Sequence, residues 1–192
     1  MPEANQAVLD FLLTRRSRPA KTLTEPVPTR EALVPLLTAA ARSPDHGKLE
    51  PWRFIVLERA ALERLAALVV VRGAALGRDM ADIDKAADQY ARAGLAVAVI
   101  SSPKPSEKIP EVEQVLSAGA VCLALLNAAL ASGWGANWLS GWPSHDPDFV
   151  REGFDLVPGE TVAGLIHIGT ETVAPPERPR PDVGAITTWM DR

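Results

Sequence analysis

Cysteine is nearly absent from this 192-residue chain, and the single copy, Cys122, cannot close an intrachain disulfide. That fits a reducing compartment, so the cytoplasm is the expected location. Histidine is scarce as well. His46, His145 and His167 are scattered, and without HExxH or CxxC the chain offers no clustered ligands for a protein-held metal. Basic excess is missing too: 24 acidic residues face 20 basic ones, which leaves no electrostatic footprint for nucleic acid or an anionic membrane. Small molecules and proteins remain as partners. The longest nearly uninterrupted apolar run, Ala118 to Ala131, is shorter than the roughly 20 residues of a bilayer-spanning helix and reads as a helix buried on most sides. The amino terminus, MPEANQAVLDFLLTRRS, places its arginines after the apolar residues and so reverses the layout of a secretory signal. A protein nucleophile is not evident either, because Ser140 lacks the preceding glycine of a nucleophile elbow and Cys122 lies where a thiolate would be poorly solvated.

What is present supports one well-buried core, since 47% of the residues are hydrophobic. Helical spacing predicts a first helix over residues 5–14, ending in Arg15 and Arg16. Thr29 reads as the N-cap of a second, with Pro35 inside it, and further helices are predicted over residues 59–70 and 74–92. RFIVLE, LAVAVI, ANWLS and VAGLIHIGT read as strands, the second covered on both faces. Glu111 to Ser132 is the apolar helix, and the proline-rich VAPPERPRPDVG reads as an extended arm. Strands separated by helices imply a layered α/β or α+β domain. A helix apolar almost all round in so small a chain points to burial at a subunit interface, hence a dimer.

Three stretches carry candidate chemistry, each with a plain alternative. GWG at 133–135 follows a helix and precedes a strand, the wrong order for a dinucleotide loop, so Gly133 reads as a left-handed helix terminator. RRSRPAK, residues 15–21, either complements the negative end of the first helix or forms a phosphate clamp from arginine forks and the Ser17 hydroxyl. SPDHGKLEPWRF, residues 43–54, is either a connector into a strand or a rigid loop presenting a site.

In order along the chain, RRS after a helix, ARSPDHGKLEPWRF, IDKA, the long helix running into WLSG, and GLIHIGT resemble the nitroreductase family, in particular its short bacterial branch. The resemblance covers nearly the whole chain. It implies an α+β, three-layer, nitroreductase-like fold with a central mixed, largely antiparallel sheet flanked by helices. One FMN-binding domain would span 1–192, with a C-terminal arm from about 173, in a domain-crossing homodimer with shared sites. Arg15, Arg16 and Ser17 match the motif that holds the FMN phosphate and ribityl chain. Arg42 and His46 match residues reaching the flavin of the other subunit, and Trp138, Leu139 and Ser140 match the turn bordering the ring. Ala128, Ala129, Leu130, Ala131, Ser132 and Gly133 match a segment associated with NAD(P). The implied activity is ping-pong electron transfer from NAD(P)H through FMN to a nitroaromatic, quinone or similar small acceptor, with no protein catalytic residue. The alternatives are a flavin-binding or interaction module on the same scaffold without turnover, and a structural dimer without cofactor. Lys48 and Glu50 depart from the asparagine and glutamine common before PW. Arg178 and Arg180 either reach a phosphate or solvate the arm.

Overall fold

Asn5 caps the first helix by accepting the Val8 N–H at 3.2 Å, and α1 runs Gln6–Thr14. The computed structural model describes residues 3–191. After α1 come a 3-10 turn at Ala20–Thr22 and β1 (Leu23–Thr24), too short to leave a periodic signal. Thr29 then caps α2 (Arg30–Ala40), which runs through Pro35 and buries Leu33, Leu36 and Ala40. β2 (Trp52–Leu57) leads into α3 (Arg59–Ala75) and α4 (Met80–Ala91). The sequence pattern divides these two helices too early. Gly77, at φ 65°, turns the chain, and Asp79 starts α4 only afterwards by accepting the Asp82 N–H at 2.8 Å.

The remaining elements are β3 (Ala96–Ser101), α5 (Glu111–Ala131), β4 (Gly135–Leu139), α6 (Pro147–Phe154) and β5 (Thr161–Glu171). β5 is the axis of the sheet: the order is β1-β5-β3-β2, with β4 also paired to β5. Every pairing is antiparallel, so the mixed component expected of the sheet is not found among the described residues. Register sets Ala96 and Asn137 on either side of His167, and Leu139 beside Leu165.

Alternation along β3 divides the core between two layers. Ala96, Ala98 and Ile100 pack with Leu62, Leu65, Tyr90, Phe149 and Leu165. Val97 and Val99 pack with Leu33, Val121, Leu125 and Ile166 on the opposite face. All six β3 residues are buried, as a strand covered by helices on both sides requires. Each fully buried leucine, valine or isoleucine contributes about 1.5–3 kcal/mol relative to exposure.

α5 has 21 residues, so it is longer than its apolar run and, by length and composition alone, could cross a membrane. Its packing gives it another role: Val121, Cys122, Leu125, Leu126 and Ala129 lie in the core against the sheet and α2. It is not buried on most sides within one chain, because Val112, Val115, Leu116 and Leu123 form an exposed apolar stripe. The helix ends as the glycine predicts. Gly133 adopts φ 85°, its N–H reaches the Leu130 carbonyl, and the Trp134 N–H reaches that of Ala129, the paired bonds of a Schellman cap. Beyond β5 the chain is an extended arm whose residues 176–191 are all exposed, broken only by a 3-10 turn at Gly184–Ile186.

Candidate cofactor site

Where α1 ends, Arg15 turns out of helical conformation and the basic loop begins. The Arg15 guanidinium donates through Nη2 to Ser17 Oγ at 2.9 Å, and Arg16 donates through Nη1 to the Ser17 carbonyl at 3.3 Å. The Arg18 N–H bonds the Ala136 carbonyl at 2.8 Å, which fastens the loop to β4, while its side chain pairs with Glu171 at 3.1 Å. Yet Arg15 Nε and Arg16 Nε are buried without a partner, and among the described residues no carboxylate forms an ion pair with either side chain. Burial holds the Arg15 guanidinium below its ordinary pKa, helped by the charges of Arg180 and Arg16. The C-terminal arm therefore brings Arg180 within electrostatic reach of the loop, held in turn by Glu177 at 2.8 Å. Arg15, Arg16 and Arg18 border a cavity of about 310 Å³ that also meets Leu130, Gly133, Trp134 and Glu171, the last paired with Arg18. Converging, unpaired guanidinium forks beside a hydroxyl suit a phosphate dianion.

From Ser17 the chain passes through the 3-10 turn to a second cavity, of about 440 Å³. Its walls are Ala20 and Lys21 from the turn, Lys85, Asp88 and Gln89 from α4, Arg92 and Ala93 just beyond it, and Leu139 and Ser140 from the end of β4, with His167 of β5 on the sheet side. That volume lies in the range of ordinary small-molecule sites. Ser140 is oriented by its hydroxyl, 3.2 Å from His145 Nε2. Trp138 faces the other side of β4, laid over Gly164, where a Cβ would run into the indole. Lys21 and Lys85 are exposed cations on the cavity wall, and the wall's other cation, Arg92, pairs with Asp88 at 2.6 Å.

The loop of residues 43–52 is tied to α5. Trp52 donates from Nε1 to Ser117 Oγ at 3.1 Å, Ser117 donates to the Pro44 carbonyl at 2.7 Å, and His46 Nδ1 lies 2.7 Å from Glu113. Gly47, Lys48 and Glu50 all have positive φ (72°, 55° and 49°), a conformation that costs about 1–2 kcal/mol for each non-glycine residue. Gly47 is also spatially required, because a Cβ would meet Ile109 Cδ1 at 2.5 Å. Arg42, Lys48, Glu50 and Trp52 line a separate depression of about 390 Å³.

The chain thus brings Arg15 and Arg16 to one cavity, with Ser17 bonded to both behind them, and Leu139 and Ser140 to another. Arg42 and His46 lie on neither. Of residues 128–133, Leu130 and Gly133 reach the arginine cavity, whereas Ala129 is fully buried in the core. Lys21, Lys85, Gln89 and His167 carry no role in the sequence reading, although IDKA contains Lys85 and GLIHIGT contains His167. Cys122 is excluded from the chemistry: burial pushes its thiol up to about 12.

This arrangement of sheet and helices is that of the nitroreductase-like fold. A nitroreductase-like family protein from Bacillus cereus matches at a TM-score of 0.80 and 22% identity, over 100% of both chains. A "putative nitroreductase in complex with fmn" from Desulfovibrio desulfuricans matches at 0.74 and 20% identity, over 97% of this chain and 98% of that one. Sequence carries the assignment further. Residues 12–170 match the model of the nitroreductase family. The chain is 38% identical over 162 residues to "Putative NAD(P)H nitroreductase YdjA" of Escherichia coli K12, covering 84% of this chain and 87% of that protein. A "Putative NAD(P)H nitroreductase" of Haemophilus influenzae is 37% identical over 166 residues, with the same coverage. The chain belongs to the nitroreductase family.

Proposed function

We propose that the protein is an FMN-dependent NAD(P)H oxidoreductase, its 192 residues acting as one flavin-binding domain in a homodimer. The observation that carries this reading is the pair of buried, unpartnered guanidinium nitrogens of Arg15 and Arg16, both side chains bonded to Ser17, in a fold that also holds a cleft of about 440 Å³. Bound FMN would supply the redox chemistry, a two-electron exchange between NAD(P)H and an acceptor such as a quinone or nitroaromatic. In this reading Arg15, Arg16 and Ser17 hold the phosphate, with Arg180 adding charge. Lys21 and Lys85 support negative charge in the cleft, and Leu139 and Ser140 border the ring. Leu130 and Gly133, at the end of α5, are the members of that segment open to a nucleotide. The exposed stripe of α5 packs on a second copy, and Arg42 and His46 serve that copy's flavin.

No protein nucleophile is required, in keeping with the inert Cys122. The protein's part is to position the reactants to roughly 3–3.5 Å and keep the cleft open to one planar partner at a time. The test is optical. Purified protein supplied with FMN should show bound-flavin absorbance that bleaches on anaerobic addition of NADH or NADPH and returns on adding a quinone. Protein that stays colourless in excess FMN contradicts the proposal, and bound flavin that stays oxidised with both nucleotides leaves a binding module.

A further inference from the structure

Among the polar groups of the cleft that the family reading does not use, one is buried. His167 sits in the middle of β5, 2% exposed, on the same sheet face as Leu165 and between Ala96 and Asn137 in register. It lines the cleft with Lys21, Lys85, Gln89, Leu139 and Ser140, and its Nε2 has no hydrogen-bond partner among the described residues. Burial pushes its pKa down to about 4, so near neutrality it is an uncharged imidazole with one N–H and one lone pair. A buried imidazole nitrogen left without a partner sacrifices its hydration for nothing, and an aliphatic side chain would suit the strand better. The loss is recovered only when something in the cleft supplies the missing bond.

We propose that His167 is a cofactor-binding residue, making a hydrogen bond from the sheet side of the cleft to a polar atom of the flavin. The proposal rests on the FMN reading and adds to it a neutral contact, distinct from the charged ones of the arginine loop and the cleft lysines. A hydrogen bond between neutral partners is modest, so its loss should be felt in affinity rather than as complete loss of binding.

The direct test needs no variant. Wild-type protein with 15N-labelled histidine is titrated with FMN while flavin binding is followed in parallel by fluorescence. The His167 ring-nitrogen resonances, assigned by their absence in His167→Gln, should move on saturation and keep the pattern of a neutral imidazole. Flavin binding with the His167 signals unmoved overturns the inference and leaves the FMN reading standing. Failure to bind FMN at all overturns both.

A second measurement separates binding from scaffold. His167→Leu should weaken FMN affinity about 5- to 10-fold without lowering the melting temperature of the apoprotein, and His167→Gln should recover most of that affinity. Wild-type affinity in the leucine variant contradicts the proposal.

Discussion

Arginines occupy two kinds of partly buried position in this molecule, and the contrast separates scaffold from site. Arg72 and Arg53 are answered from within the chain. Arg72 grips Asp146 with two bonds, at 2.7 and 3.1 Å, and Arg53 grips Glu160 with two at 2.7 Å. Arg15 and Arg16 are also partly buried, yet among the described residues no carboxylate forms an ion pair with either, Glu177 acting on Arg16 through charge alone, and each leaves its Nε idle. A charged group withdrawn from water needs a counter-charge, and where the chain supplies none the natural candidate is a ligand. Scaffold arginines should therefore act on stability, and site arginines on binding.

Removing Asp146 attacks the scaffold side hardest. Its carboxylate, 7% exposed, both pairs with Arg72 and caps α6 through the Phe149 N–H, and the Arg72 hydrogen bond holds its pKa below the usual carboxylate value. Asp146→Ala removes the cap and breaks the pair, and should lower the melting temperature by on the order of 10 °C. FMN affinity of the surviving folded protein should be unchanged, which a flavin titration well below the melting point checks.

Glu160 gives a smaller effect with a pH signature. Hydrogen bonds from Arg53 lead in depressing its pKa to about 2, against about 4.3 in an unfolded chain. A depressed carboxylate contributes stability that is fully present above the unfolded value and is lost as pH falls from about 4.5 toward 2. Arg53 is 40% exposed, so water screens the pair and the contribution should be about 2 kcal/mol. Glu160→Gln should cost about that much near pH 7 and less below pH 3, as denaturant unfolding at both values would show. Equal losses at the two pH values would mean that the ion pair contributes packing rather than charge.

Much of this contrast follows from local sequence, but not its placement in space. Thr29 and Gly133 announce their caps because capping depends on one residue and its immediate neighbours, whereas Asn5, read as the first residue of its helix, turns out to be the cap. Likewise β3 is legible as a six-residue apolar run buried on both faces. The division between α3 and α4 is obscured because apolar spacing continues across it, and only Gly77 and Asp79 mark the break. The cleft is the least visible part, since Lys21, Lys85, Leu139 and His167 come from four segments joined only by the sheet and α4. RRS could be read as a clamp or as dipole compensation, and the two idle Nε atoms are what favour the clamp.

Arg16→Ala tests the central claim most directly, with FMN affinity and apoprotein melting temperature measured on the same preparation. An arginine waiting for a phosphate predicts FMN affinity reduced by about 10- to 100-fold, the loss of one charge-assisted contact, with the apoprotein melting no lower than wild type. Unchanged affinity, or a melting temperature that falls as it does for Asp146→Ala, would show that Arg16 belongs to the scaffold and that the phosphate site lies elsewhere.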